Sequence, residues 1–160
     1  MADIGIVGEN EVLEKNKNVE LVKRLGFSRC RLSLAIPQDV EYTGAKWFEG
    51  KRIATSYSHI LQTYLDKEGV SATIEELSGS VEIAPGIGLA EGIFDIVSSG
   101  GTLISNRLKE VEVVMQSEAV IVSNKELNAD KKELLDNLLF RIKTVQQSKG
   151  NKYILLNAPN

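Results

Sequence analysis

The chain has 160 residues, 42% of them hydrophobic, which is enough for one ordinary globular core and short for two independent ones. Its 19 basic and 22 acidic residues are mixed along the sequence and leave a formal net charge of −3, so no sustained basic field awaits a nucleic-acid backbone. No run approaches the roughly 18 apolar residues of a membrane span, no basic-then-apolar leader pattern opens the chain, and a single cysteine, Cys30, excludes an intrachain disulfide.

In chain order, Asp3 to Val7 is a β-type apolar run ending in turn residues. With no turn or cap before it, this run reads as a cut boundary. Val19, Leu21, Val22 and Leu25 fall at spacings that could share a helix face, with Gly26 as the stop. Arg31 to Ile36 alternates as a strand, placing Leu32, Leu34 and Ile36 on one side before Pro37. Between Gln38 and Gly50 the pattern is irregular, and Tyr42, Trp47 and Phe48 read as aromatics covering a core, with ligand stacking by Trp47 the second choice. Arg52 to Thr55 is a short strand, followed by a helix with Ile60, Leu61, Tyr64 and Leu65 on one face, capped by Ser56 or Ser58 and ended by Gly69. Val70 to Leu77 reads as another strand.

Val111 to Met115 and Glu118 to Val122 are β-rich and could form one long bent strand. From Asp130 to Gln147 the spacing of Leu134, Leu135, Leu138, Leu139, Ile142 and Val145 predicts an amphipathic helix, with Asn128 as cap and Gly150 beyond its end. Tyr153 to Leu156 reads as a final strand. Strands and helices alternate, which favours an α/β sheet with crossovers.

The chemistry concentrates in Asp95-Ile-Val-Ser-Ser-Gly-Gly-Thr-Leu103, an apolar strand end running into small residues and hydroxyls. Gly100 and Gly101 allow a tight turn that brings several N–H groups onto a phosphate, while Ser98, Ser99 and Thr102 add hydroxyl donors. A helix starting within Leu103 to Leu108 would add its N-terminal dipole. The plainer alternative is a glycine-rich turn with its hydroxyls in water.

Glu91 and Asp95 are four apart; on a helix they share a face, and at a junction with a strand Asp95 sits at the loop mouth. Carboxylates beside a phosphate loop need a ribose diol or a magnesium-bound diphosphate between them, and for Glu91 simple solvation is the competing reading. Gly86 to Gly92 follows an expected strand and imitates the start of a dinucleotide fingerprint. Glu91 stands where the third glycine belongs, which excludes it. His59, the only histidine, and Cys30 have no partners in the pattern for nucleophilic catalysis or a zinc site.

Five motifs in one order, Asp3-Ile-Gly-Ile-Val-Gly-Glu-Asn10, Cys30-Arg-Leu-Ser-Leu-Ala-Ile-Pro37, Gly50-Lys-Arg-Ile-Ala-Thr-Ser-Tyr57, Gly79-Ser-Val-Glu-Ile-Ala-Pro85 and Asp95 to Leu103, resemble the ATP phosphoribosyltransferase family of histidine biosynthesis over nearly the whole chain. The resemblance implies a periplasmic-binding-protein-like (type II) α/β fold, a mixed sheet flanked by helices, with the active site in a cleft between two lobes. It implies transfer of a phosphoribosyl group from phosphoribosyl diphosphate to N1 of ATP, with diphosphate released and magnesium present through that diphosphate, no metal being held by the protein itself. Ser98, Ser99, Gly100, Gly101, Thr102 and Leu103 would hold the 5-phosphate, Asp95 the ribose hydroxyls, and Glu82 and Glu91 would lie near the ribose or the diphosphate. Glu82 and Asp95 are the expected catalytic carboxylates. Two positions depart from the family pattern: Glu91 where aspartate is usual, and Ser58 where proline is common.

On the same resemblance, residues 27–122 are expected to form the second lobe, with 1–26 a remnant of the first and 123–160 a return to it. Asp3 to Val7 and Tyr153 to Leu156 should then lie together, away from the phosphate loop. Part of the cleft wall and a regulatory domain would lie outside the chain, so little activity is expected of it alone. Apolar surface left uncovered would favour self-association. The parent would be cytoplasmic and either homo-oligomeric or paired with a regulatory subunit. The rival reading is a non-catalytic periplasmic-binding-type module for a small anion.

Overall fold

The structure, a computed structural model, describes residues 2–15 and 18–148. It contains two sheets. The larger has the strand order β5 (Thr73–Glu76), β4 (Arg52–Thr55), β6 (Gly92–Val97), β3 (Cys30–Pro37), β7 (Leu108–Ser117). It is mixed: β4 runs parallel to β5 and β6, whereas β3 is antiparallel to β6 and β7. The smaller sheet has the order β1 (Ile4–Gly8), β8 (Ala119–Asn124), β2 (Val19–Arg24), all antiparallel. Helix α1 (Glu9–Glu14) follows β1, α2 (Ser58–Glu68) connects β4 to β5, the short α3 (Gly101–Ser105) follows β6, and α4 (Ala129–Ser148) follows β8.

Alternation along the central strands gives the large sheet two unlike faces. On one side Leu32, Leu34, Ile36, Ile53 and Phe94 pack with Phe48 and with Leu61, Tyr64 and Leu65 of α2. Burial of each such side chain contributes about 1.5–3 kcal/mol. The other side carries Ala35, Ala54, Ile93 and Val97, against which a 3₁₀ turn, Val81–Ile83, and Leu103 of α3 are packed. A third cluster, with Leu25, Ala119, Ile121 and Leu135 buried, joins the small sheet to α4.

Several expectations are met: β3, β4, the Ile60 to Leu65 helix with Gly69 in the left-handed region, and α4 with the Asn128 side chain accepting from Lys131 N at 3.0 Å. Trp47 lies edge-on to Phe48 at 4.9 Å with Lys51 Nζ 4.6 Å from its ring, as expected of an aromatic that covers a core. Other readings are corrected. Val19 to Leu25 holds a strand rather than a helix; a bulge between Leu21 and Lys23 breaks the alternation and mimics helical spacing. Val111 to Val122 is two strands, because the chain leaves the large sheet at Ser117 and enters the small one at Ala119. What precedes Gly86 is the 3₁₀ turn rather than a strand. The expected strand at 153–156 and the stop at Gly150 lie outside the described residues.

Neither Ser56 nor Ser58 caps α2. Glu14, at the end of α1, accepts from His59 N and Ile60 N at 3.0 Å each, supplying from a distant part of the chain the acceptor that helix N-termini lack. Large apolar side chains stand exposed on the small sheet and α4, among them Ile6, Leu21, Leu134 and Phe140. Among the described residues no helix is long and apolar enough to cross a membrane.

Gly92 opens β6 where the 3₁₀ segment Ala45–Phe48 presses on the sheet. A Cβ there would come within 2.7 Å of Phe48 Cε1 and 3.1 Å of the Ala35 carbonyl. Gly92→Ala is therefore expected to destabilise the fold by about 1–3 kcal/mol, the usual effect of overpacking a filled core. Urea unfolding would read it, and an unchanged midpoint would contradict the close approach.

Candidate functional site

Strand β6 delivers the candidate site. Ile93, Asp95 and Val97 point to the shallow face, and Asp95 lies across from Ser33 of β3 in register. Beyond Val97 the chain turns through Ser98, Ser99 and Gly100 into α3. Gly100 is the N-cap at φ +81°, in the left-handed region that glycine enters without penalty. The helix starts at Gly101, two residues ahead of the expected Leu103, and Leu108 belongs to β7; the glycine pair forms the helix entry itself. Buried Leu103 fastens α3 to the sheet, while Ser98, Ser99 and Thr102 are exposed.

A pocket of about 180 Å³ is lined by Asp95, Ser98, Ser99, Gly100, Thr102 and Leu103 on one side and by Glu82 on the other. Glu82 gets there because Val81 and Ala84 are buried against the small side chains of the sheet, which lays the 3₁₀ turn over β6. The amides of Gly101, Thr102 and Leu103 open the helix and have no intrahelical acceptor. Of these three amides, only that of Gly101 has a partner among the described residues, Ser99 Oγ at 3.5 Å. Amides at a helix entry beside exposed hydroxyls suit an anion.

The carboxylates differ in state. Burial pushes the Asp95 carboxyl above its ordinary value, and the charge of Glu82 adds to that, against the stabilising N–H of Ile96 at 2.7 Å. Glu91 does not line this pocket. It pairs with Arg52, Oε1 to Nη2 at 2.5 Å, and accepts from Arg52 N at 2.8 Å; the Arg52 side-chain hydrogen bond holds it below the ordinary carboxylate range. The structure thus brings Glu82, Asp95 and the loop together and places Glu91 in an ion pair just before β6. Gly101 is in the loop without being part of the pocket wall.

Three residues, Arg31, Ser33 and Glu110, escaped the sequence reading of the site. Arg31 of β3 donates from Nη1 to the Ser98 carbonyl at 3.0 Å and forks onto Glu110 of β7, Nε to Oε1 at 2.5 Å and Nη2 to Oε2 at 2.6 Å. Ser33 Oγ adds a hydrogen bond to Glu110 Oε1 at 2.6 Å. The available signal was the alternation itself: with Leu32, Leu34 and Ile36 on one face, Arg31 and Ser33 must share the other, which the pairing of β3 with β6 makes the face of Asp95.

A mixed α/β sheet of the periplasmic-binding type, carrying a glycine-bent loop opposite a carboxylate pair, defines the class of this protein. The family model described as ATP phosphoribosyltransferase matches residues 1–144, and the chain belongs to that family. It is 64% identical over 99% of its length to the ATP phosphoribosyltransferase of Parabacteroides distasonis and 61% identical to that of Bacteroides thetaiotaomicron, covering 56% of each. The chain thus spans little more than half the length of these curated relatives. Among solved structures it matches the ATP phosphoribosyl transferase (HisG:HisZ) complex from Thermotoga maritima with a TM-score of 0.78 and 30% identity, over 90% of this chain and 70% of that one. An amino-acid transporter's substrate-binding protein matches with a TM-score of 0.66 at 16% identity, over 92% of this chain and 66% of that one, a likeness of fold alone.

The raised Asp95 carboxyl has a consequence for stability. A group that binds its proton more tightly when folded stabilises the fold below its unfolded value of 3.8, and that contribution is lost as pH rises through the raised folded value. At neutral pH the charged Asp95 is a net cost, so Asp95→Asn should raise stability there by about 0.5–2 kcal/mol, the scale typical of relieving one unfavourable site. The gain should vanish below pH 3.8. Melting curves of both proteins across this range would test it; a variant less stable at pH 7 would refute the sign.

Proposed function

We propose that this chain carries the phosphoribosyl-diphosphate half of an ATP phosphoribosyltransferase active site. The observation that carries the reading is the facing of the loop hydroxyls and of the Thr102 and Leu103 amides, unpartnered among the described residues, with Glu82 and Asp95 around one small pocket. That arrangement matches a sugar phosphate, which needs N–H donors for its phosphate and acceptors for its hydroxyls. Ser98 to Leu103 bind the 5-phosphate. Asp95 accepts from the ribose hydroxyls, and Glu82 faces the reacting side of the ring. Glu91 is near enough in sequence to brace β6 through Arg52, and in this reading its ion pair keeps the strand end in place.

The reaction forms a bond from N1 of the adenine of ATP to C1 of the phosphoribosyl group and breaks the bond from C1 to diphosphate, which leaves with the bonding pair. Its transition state is oxocarbenium-like, so the contribution of this chain is positioning and the placement of negative charge by Asp95 and Glu82 near the sugar. Among the described residues no three His, Cys, Asp or Glu side chains cluster to hold a metal. Two carboxylates facing one pocket suit an ion that arrives on the diphosphate, and Glu82 and Asp95 are the groups that would face it. Magnesium carried that way supplies charge neutralisation for the departing diphosphate.

In the same reading 27–122 is essentially the second lobe, and 1–26 and 123–160 belong to the first. The pairing of β8 with β1 and β2 supports placing the return a few residues earlier, at Ala119. The nucleotide and the rest of the cleft depend on parts of the parent protein outside this sequence, which we place in the cytoplasm as either a homo-oligomer or a complex with a regulatory subunit. The partnered arrangement named for the Thermotoga maritima complex supports the second form. The rival reading of a small-anion transport or sensor module rests on likenesses of fold only.

Calorimetry with phosphoribosyl diphosphate and magnesium tests the proposal. Binding at millimolar ligand or tighter is expected, uncompeted by sulfate at equal concentration. Gly100→Val should weaken it by at least about tenfold, because a β-branched residue cannot hold φ +81° without strain. A Cβ at Gly100 meets no protein atom within 4 Å, so the loss would report on the loop and the ligand's space. No heat with the wild-type chain, or stronger binding of sulfate, would overturn the assignment.

A further inference from the structure

The geometry points to Arg31 as a positioning residue that aims the phosphate loop through the Ser98 carbonyl, with Glu110 and Ser33 holding its guanidinium in place. This inference rests on the phosphoribosyl-diphosphate reading of the loop.

The peptide between Ser98 and Ser99 is trans and planar, as no cis bond occurs among the described residues, so its C=O and N–H point in opposite directions. Arg31 Nη1 binds that C=O at 3.0 Å. The same contact therefore fixes where the Ser99 N–H points, which is away from Arg31. Ser98 and Ser99 both line the pocket, and Gly100 and Gly101 follow directly. Gly100, at φ +81°, has no side chain to restrict the turn. Without an anchor, the peptides on either side of it could rotate at little cost, because glycine tolerates both signs of φ. The anchor sits one residue past the end of β6, at the last point where the sheet can impose its orientation on the loop.

Arg31 is itself over-determined. Glu110 receives two of its N–H groups in a fork, the strong bidentate arrangement of guanidinium and carboxylate. Ser33 Oγ donates to Glu110 Oε1 and sets the rotation of that carboxylate. The three residues come from two neighbouring strands, β3 and β7, so the clamp is tied to the most extensively paired part of the large sheet. Because the fork occupies Nε and Nη2, Nη1 is the nitrogen directed at the loop. A pair serving only to brace strands would not need that third contact. Glu110 also balances the charge of Arg31, so the guanidinium acts through the backbone it orients, and direct attraction of the phosphate is a smaller effect. Lysine cannot reproduce this, since one ammonium cannot keep a planar fork and a separate directed N–H together.

The test uses the whole chain, isotope-labelled, with backbone amide spectra recorded free and during titration with ribose 5-phosphate. Wild type should show saturable shifts at Ser99, Gly101 and Thr102. Arg31→Met should move the Ser99 amide in the ligand-free spectrum and weaken ribose 5-phosphate by about tenfold, the effect of losing one charge-assisted hydrogen bond. Glu110→Gln keeps a neutral acceptor for Arg31 and should fall between the two. It also serves should Arg31→Met fail to fold. Arg31→Lys should resemble Arg31→Met in affinity more than wild type.

If the variants only lower the melting temperature while the Ser99 amide and the affinity stay within about twofold of wild type, Arg31 is a strand brace and the inference is overturned. If the wild-type loop amides do not respond to ribose 5-phosphate at all, the phosphate reading fails, and this inference fails with it.

Discussion

Leu32, Leu34, Ile53 and Phe94 fill one side of the large sheet, whereas Ser33, Ala35, Ala54 and Ile93 leave the other side shallow, and the candidate site occupies the space that this difference creates. On the filled side α2 and the aromatic segment around Phe48 pack onto these strands. On the shallow side small side chains let a 3₁₀ turn lie close to the strands, which brings Glu82 over Asp95. A leucine at position 35 or 54 would lift that turn and separate the two carboxylates. Stability and function are thus divided between the faces of one sheet, and the strands transmit the rigidity of the first face to the second.

That division explains how an unfavourable pair is tolerated. Two carboxylates facing one pocket, one of them pushed toward its neutral form by burial, cost the fold free energy. The loss is small beside the contribution of the filled face, and the site keeps charge where a sugar would receive it. The other carboxylates of the sheet are resolved differently. Glu91 and Glu110 each have an arginine, and their side-chain hydrogen bonds to Arg52 and Arg31 hold them ionised. Glu112 takes two tyrosine hydroxyls, those of Tyr42 and Tyr64, across the edge of β7. Both tyrosines are held in the neutral form, by burial first and then by these bonds. Among these carboxylates, the pair at the pocket has neither an arginine nor a tyrosine hydroxyl as partner.

Much of the architecture could be read from local pattern. The alternation of β3, the face of α2, the cap and period of α4 and the glycine-bent loop after Val97 are properties of short windows, where one physical rule dominates. The failures share a cause. The bulge in β2 blurred a period of two into something like a helix. The division of 108–124 between two sheets depends on partners 71 to 119 residues away. Glu14 as the acceptor at the start of α2, and Arg31 with Glu110 behind the loop, are contacts between segments that no window contains. Glu91 and Asp95 are neighbours in sequence, but a strand starting at Gly92 gives them different surroundings, which spacing alone does not show.

The way the two sheets are joined follows from where their apolar residues went. None of the three buried clusters draws on both sheets. What connects them is polar: Asn10, buried at the start of α1, receives on its Oδ1 the Ser117 hydroxyl at 2.8 Å and donates from its backbone to the same oxygen at 3.2 Å, with Nδ2 3.4 Å from the Tyr57 hydroxyl. Glu14 continues this line to the first turn of α2. Burial raises the Tyr57 hydroxyl to about 12, so it remains a neutral partner throughout the physiological range. Directional bonds of this kind fix an angle between sheets with few atoms, whereas a shared apolar core would fix it with many. The chain crosses from β7 to β8 beside Ser117, and β3, which carries Arg31 and borders the candidate site, begins opposite that same residue. The junction and the site are therefore built on the same pair of strands, so the orientation of the small sheet and the aim of the loop share one support.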